Sequence, residues 1–299
     1  MSLRRLAALV LALPGFAGCG MTDIVNAVAP RDGYRVVADR RYGDLPRQAL
    51  DLYVPEGRGG PLPVVVFLYG GSWQTGSRAE FRFVGVTLAR RGYLAVIPDY
   101  RVWPPDGFPV FLDDTAAAIA WVRAHAAEVT GVTTGPIVLL GHSAGAYNAV
   151  MVTLDRRWLE GQGADPDATI AATVGLAGPY DFLPLTDPAL QALFGPEDRL
   201  PATQPIAYAR GDAPPLLLVT GDDDRTVSPL NSVRLAARVT GDGGDATVLR
   251  YPGIGHVDIM APFSRGLGWY APTLDDIDRW LERVLPPATA QGVLPTPPA

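Results

Sequence analysis

The sequence predicts an α/β protein: a mostly parallel, eight-stranded sheet with helices on both faces and a short cap insertion. Two observations carry this. First, the runs VVVFL, LAVIP, IVLL and LLLV are apolar without interruption. Strands of a parallel sheet covered on both sides have that composition, because neither face meets water. Second, helix-forming stretches separate these runs, which gives each parallel pair the crossover it needs. The 33 glycines and 29 prolines suit a fold with many tight turns.

Strands are expected at 35–38, 49–53, 64–69, 94–98, 136–140, 170–176, 216–220 and 247–251. Helices are expected between them. The stretch 79–91 stops at Gly92, a residue suited to closing a helix in the left-handed conformation. The stretch 113–129 opens on Asp113 and Asp114, which favour the positive end of the helix dipole. Residues 144–154 follow the fifth strand directly. The stretch 229–239 starts with proline in its first turn. Residues 274–284 carry a Trp280, Leu281, Val284 face. The long Pro-rich stretch 178–215 breaks the alternation and reads as the cap, not as a second domain. The folded domain is therefore expected to run from 34 to 285, and no internal repeat is present.

With 299 residues, 48% of them hydrophobic, the chain can bury a core that needs no disulfide or metal. A net charge of −6 and the lack of a basic stripe argue against nucleic acid as a partner. Three histidines, His125, His142 and His256, without helical pairing or a cysteine cluster, argue against a metal site. No cofactor is expected.

At the N-terminus, Arg4 and Arg5 precede the apolar stretch 6–13, which Pro14 and Gly15 end. That is the pattern of a secretory signal, too short for a permanent span. Phe16-Ala17-Gly18-Cys19 resembles a bacterial lipobox, apart from Phe16 where leucine is usual. The resemblance implies export, a lipid on Cys19 and attachment to a membrane. Residues 20–33 read as a tether, and 286–299, rich in Pro, Ala and Thr, as a disordered tail.

Residues 141–145 read GHSAG. A nucleophilic serine on a sharp strand-to-helix turn needs small flanking residues, and Gly141 and Gly145 supply them around Ser143. Alone the motif is weak. Its setting, with an apolar strand before it and a helix-forming run after it, gives it weight. A serine hydroxyl needs a base within hydrogen-bond reach and an acid behind that base. His256, in the loop YPGIGH after the eighth strand, stands where such sheets place ligands and where the chain order Ser, Asp, His expects a base. His125 reads as a surface residue, and His142 as a packing or polar-network residue. After the seventh strand Asp222, Asp223 and Asp224 are all candidates for the acid, and spacing does not separate them. An oxyanion needs fixed N–H donors. Ala144, after the nucleophile, and the loop YGGSW at 69–73 are positioned to provide them.

These motifs together resemble the α/β-hydrolase superfamily, in particular the bacterial carboxylesterases, feruloyl-esterase-like proteins and kynurenine formamidases with an HGGxW loop. Gly70, Gly71 and Trp73 match that loop; Tyr69 replaces its histidine. The segments 98–109 (PDYRVWPPDGFP) and 177–182 (AGPYDF) fit the same group, with Asp99 and Arg101 as structural residues. Gly221, Asp224 and Val227 match its G-x-x-D-x-x-V pattern, so the resemblance selects Asp224 as the acid. It implies a serine hydrolase acting on short-chain or aromatic carboxylic esters, a small-molecule substrate. The oxyanion donors would lie at Gly70, Gly71, Ser72 and Ala144. An amidase or formamidase using the same triad, and a non-catalytic binding lipoprotein, are the alternatives. Tyr180, Phe182, Phe194 and Tyr208 could line a pocket or tie the cap down.

Overall fold

The computed structural model describes residues 20–285. Eight strands form one sheet: β1 (Tyr34–Arg41), β2 (Ala49–Pro55), β3 (Leu62–Leu68), β4 (Leu94–Pro98), β5 (Thr134–His142), β6 (Ile170–Leu176), β7 (Leu216–Gly221) and β8 (Ala246–Tyr251). Their spatial order is β1-β2-β4-β3-β5-β6-β7-β8. β2 pairs antiparallel with β1 and β4, and every other neighbour is parallel. The expected eight-stranded, mostly parallel sheet is therefore present. Every residue of β3, β4 and β7 is buried, which is why those runs carry no polar alternation. β8 is half-exposed along most of its length because it forms the sheet edge.

The helices are α1 (Met21–Val28), α2 (Arg82–Arg90), α3 (Val110–Thr130), α4 (Ala144–Leu154), α5 (Arg157–Glu160), α6 (Pro166–Thr169), α7 (Pro188–Phe194), α8 (Leu230–Gly241) and α9 (Thr273–Val284). α2 begins later than its sequence pattern suggests, because the preceding residues close turns instead: Glu80 N–H donates to Ser77 C=O (3.1 Å). α3 starts directly after Pro109 and ends at Gly131, whose φ of +67° reverses the chain.

Residues 20–33 hold more structure than a tether requires. α1 is docked on the start of α2: Asn26 Nδ2 donates to Ala79 and Glu80 C=O (3.1 and 3.0 Å), and Phe83 N–H donates to Asn26 Oδ1 (2.9 Å). Short helices are hard to read from sequence because their apolar face is a single residue wide, here Val25. The signal, the lipobox with Cys19 and the tail 286–299 lie outside the described residues.

Residues 178–215 fold as α7 and two 3₁₀ turns, Glu197–Thr203 and Pro205–Tyr208. Buried hydrogen bonds hold this segment down. Tyr147 Oη on α4 donates to Thr203 C=O (2.6 Å), and Asn231 Oδ1 on α8 accepts from Tyr180 and Asp181 N–H (2.8 and 2.7 Å).

The sheet fixes how closely α4 passes over β3. A Cβ on Gly145 would stand 1.9 Å from Leu68 C=O, and one on Gly141 would stand 2.3 Å from Gly145 C=O. Neither backbone can retreat without breaking the ladder. Gly145→Ala should therefore destabilise the fold by about 3 kcal/mol or more, a fall in Tm of roughly 6–12 °C. Thermal unfolding followed by circular dichroism measures it, and an unchanged Tm would refute the close approach.

Candidate active site

Ser143 sits between β5 and α4 with φ +53° and ψ −120°, a conformation that side-chain-bearing residues rarely adopt. Two features hold it there. Its N–H donates to Leu176 C=O on the neighbouring strand (2.9 Å), and its C=O accepts from Tyr147 N–H one turn into α4 (3.1 Å). The serine side chain is thereby turned out at the C-terminal edge of the sheet.

His256 comes from the loop after β8. Its Nε2 lies 2.9 Å from Ser143 Oγ, and its Nδ1 lies 2.7 Å from Asp224 Oδ2. A carboxylate can only accept, so Nδ1 carries the hydrogen and Nε2 is free to accept from the serine hydroxyl. Asp224, in the turn after β7, uses its other oxygen to accept from Thr226 and Val227 N–H (2.9 and 2.8 Å). Burial pushes its carboxyl up, but the hydrogen bonds from His256, Val227 and Thr226 outweigh this and leave it below the usual carboxylate range. Asp222 and Asp223 are exposed. Asp222 pairs with Arg250 (2.7 Å), and Asp223 N–H donates to Ile254 C=O (3.1 Å). Of the three consecutive acids, Asp224 is the one whose carboxylate meets the imidazole.

The loop after β3 closes the other side. Gly70 is pressed against Ser143: a Cβ there would lie 3.0 Å from Ser143 Cβ. Gly71, Ser72 and Trp73 follow with φ of +129°, +53° and +57°. Gly71 must be glycine, since a Cβ would stand 2.3 Å from Thr75 C=O. The N–H groups of Gly71, Ser72 and Ala144 make no hydrogen bond to any described residue. Successive left-handed residues turn N–H groups into a concavity suited to an anion.

Tyr69 holds this loop, at the position where the HGGxW pattern has histidine. Its fully buried ring is stacked between Phe81 (centroids 5.3 Å apart) and Tyr100 (4.8 Å). Its hydroxyl donates to Asp99 Oδ1 (2.8 Å) and accepts from Arg47 Nη2 (3.0 Å). Arg78, at the far end of the loop, donates its N–H to the same Asp99 oxygen (2.6 Å) and pairs with Asp99 through its guanidinium. Asp99 is thus the post to which both ends of the loop are tied. Arg101 is structural too, bound to buried Asp114 through Nε and Nη2 (both 2.9 Å). Trp73 Nε1 donates to Asn148 Oδ1 (2.9 Å), and its ring meets Tyr147 and Phe194 edge-on. Of the four aromatic residues of the cap segment, Tyr180 and Phe194 are buried core, and Phe182 and Tyr208 are half-buried against it.

His125 is exposed on α3, its ring tilted against Trp121 and away from this constellation. His142 is within it: its Nε2 lies 3.0 Å from His256 C=O, a contact that sequence reasoning did not find. Arg47 was also missed, because it lies in a loop between two antiparallel strands far from any motif.

The BD-FAE family model matches residues 50–239, more than half of the chain. The chain belongs to the BD-FAE family. An isoprenylcysteine alpha-carbonyl methylesterase of Arabidopsis thaliana is 30% identical over 239 residues, covering 73% of this chain and 56% of that protein. The kynurenine formamidase of Danio rerio is 28% identical over 151 residues, 50% of this chain and 48% of its own. Esterase 2 of Thermogutta terrifontis superposes with a TM-score of 0.67 at 27% identity, over 88% of this chain and 97% of that one. The chain spans only 50% to 63% of the first three curated relatives it matches. The BD-FAE match begins within β2 and ends within α8, so it includes Tyr69, Ser143 and Asp224 but not the strand and loop that supply His256.

Two outcomes follow for this BD-FAE site. Tyr69→Phe removes the hydroxyl that bridges Asp99 and Arg47, each of which keeps its other partners, and should cost about 1–3 kcal/mol in urea denaturation. The second concerns Asp224. Its folded-state pKa is depressed, so its ionised form stabilises the fold above the unfolded carboxylate pKa, and that part is lost as pH falls through the folded value. Asp224→Asn should therefore flatten the acid limb of stability against pH below about pH 4, where the wild type declines.

Proposed function

We propose that this BD-FAE protein is a serine hydrolase that cleaves carboxylic esters through an acyl-enzyme. The observation that carries the proposal is the continuous relay from Ser143 Oγ to His256 Nε2 (2.9 Å) and from His256 Nδ1 to Asp224 (2.7 Å). Family membership and the esterases among its relatives support the same reading.

In the proposed cycle, His256 Nε2 takes the hydroxyl proton as Ser143 Oγ attacks the ester carbonyl. The carbonyl oxygen becomes an oxyanion that accepts from Gly71, Ser72 and Ala144 N–H. Asp224 keeps the imidazole in its Nδ1–H form and stabilises the imidazolium that results. The imidazolium gives its proton to the departing alkoxide as the C–O bond breaks. Water then repeats the sequence and releases the acid. The chemistry calls on no metal or cofactor. Loss of one oxyanion donor typically costs about 100- to 1000-fold in rate, so the Gly70–Gly71 turn matters as much as the side chains.

Short-chain or aromatic esters are the proposed substrates. Trp73, Tyr147 and Phe194 pack ring against ring beside the elbow, filling space that a long acyl chain would need. One relative is by name a methylesterase. The formamidase relatives favour a second reading, in which the same triad opens an N-formyl amide. We also infer export with a lipid on Cys19, supported by the basic, apolar and small-residue pattern before it. Globomycin-sensitive labelling by palmitate, lost in Cys19→Ala, would test it.

A fluorophosphonate should label Ser143, and Ser143→Ala and His256→Ala should each lower kcat on p-nitrophenyl acetate by at least about 10³-fold. Asp224→Asn should cost about 10³- to 10⁴-fold. Acetate and butyrate esters should be turned over faster than palmitate esters; the reverse order would sink the substrate assignment. Faster turnover of N-formylkynurenine than of any aryl ester would bring the amidase reading forward. An unlabelled, folded protein would point to a binding module.

A further inference from the structure

His142 is the one imidazole at the site that the proposed cycle does not use. It is the last residue of β5, next to the nucleophile in sequence, and its side chain is buried (7% exposed). β5 ends at His142, and the chain turns at Ser143 with φ +53°. His142 reaches the loop that carries the base. Its ring centroid lies 5.0 Å from that of His256, and its Nε2 lies 3.0 Å from His256 C=O. On its other side it meets the oxyanion loop: a Cβ on Gly70 would be 3.1 Å from His142 Nδ1.

The protonation state follows from the partner. A carbonyl oxygen only accepts, so Nε2 carries the hydrogen. Burial, and the charge on His256 when it is protonated, push the His142 pKa down to about 4, so the ring is neutral when the site works. A second imidazolium beside His256 would oppose the positive charge that the base takes up in each half-cycle, and the buried setting prevents it.

What His142 holds is specific. The loop 252–257 is tied elsewhere by Ile254 C=O, which accepts from Asp223 N–H (3.1 Å), by Gly255 N–H, which donates to Asp258 Oδ2 (3.0 Å), and by Val257 C=O, which accepts from Met260 N–H (3.0 Å). None of these bonds is made by His256. At His256 itself, the backbone C=O has His142 as its partner among the described residues. This bond fixes the peptide from which the catalytic imidazole hangs. A loop side chain must keep two distances at once, to Ser143 and to Asp224, and rotation of that peptide would spoil both.

We propose that His142 is a positioning residue, whose Nε2–H anchors the His256 carbonyl and so holds the catalytic imidazole between Ser143 and Asp224. The proposal rests on the serine-hydrolase reading. His142 touches no reacting atom and acts through His256.

The test uses the full chain with p-nitrophenyl acetate. His142→Leu, which removes the donor, should lower kcat about 10- to 100-fold with KM within about two-fold, the cost expected of a misplaced base and not of lost substrate contacts. Its rate of fluorophosphonate labelling should fall in proportion. His142→Gln places a side-chain N–H₂ at similar reach and should recover kcat to within about five-fold of the wild type. Tm for both variants separates misfolding from misplacement. Independently of any substrate, ¹⁵N shifts at pH 7 should report a neutral His142 with its hydrogen on Nε2. Full activity in His142→Leu overturns the proposal, as does equal impairment of the Leu and Gln variants or a hydrogen on Nδ1. An inactive, unlabelled wild type would instead overturn the serine-hydrolase reading, and the ring tautomer would then still decide whether the His142 anchor exists.

Discussion

The closest backbone approach in the site is the constraint on which the rest depends. α4 starts so near the end of β3 that position 145 has no room for even a methyl group against Leu68 C=O. That crossing brings the first N–H of a helix, the mouth of the β3 loop and the Ser143 hydroxyl into one small volume. A helix N-terminus offers unpaired N–H groups and a partial positive charge. Placing it beside a loop that also turns its N–H groups inward makes a cradle for negative charge before any side chain is considered. Ser143 takes its strained backbone angles because Gly141 and Gly145, on either side of it, let the chain turn that sharply.

Around that crossing the polar side chains divide into two sets with different tasks. Asp224, His256 and Ser143 form a line in which each member fixes the hydrogen of the next. Buried Asp99 and Tyr69 and half-buried Arg47 and Arg78 form a cluster that keeps the β3 loop from relaxing. Burial pushes the Tyr69 hydroxyl well above its ordinary pKa, so it stays a neutral donor to Asp99 while Arg47 supplies the balancing charge. Tyrosine thus ties the loop by hydroxyl and ring stacking, provided Gly76 leaves space: a Cβ there would stand 2.8 Å from the Tyr69 ring.

Much of this was legible in the sequence, and for physical reasons. Strands buried on both faces cannot hide, which is why β3, β4, β5 and β7 were evident from composition. Ser143 was legible because the steric demand on its neighbours leaves a trace of two glycines. Asp224 was not separable from Asp222 and Asp223 by spacing, because the distinction lies in which carboxylate is turned inward, and it took resemblance to pick one. His142 and Arg47 were opaque for a different reason. Their partners are a backbone carbonyl and a distant hydroxyl, and such contacts depend on how loops from separate crossovers meet. α1 leaves little trace in the sequence because its docking rests on Asn26, which also accepts from Arg82 through its C=O, and on one valine.

The segment 178–215 sits over this machinery without a hinge of its own. Tyr147, Asn231 and Gln204 bind its backbone at several points along its length, and its aromatic side chains are part of the core beneath. A covering fastened in this manner is masonry, not a door. A molecule that reaches Ser143 meets a wall already in its final shape, so selection among substrates would occur by exclusion at first contact, and the pace of turnover would not be set by anything having to swing open or shut.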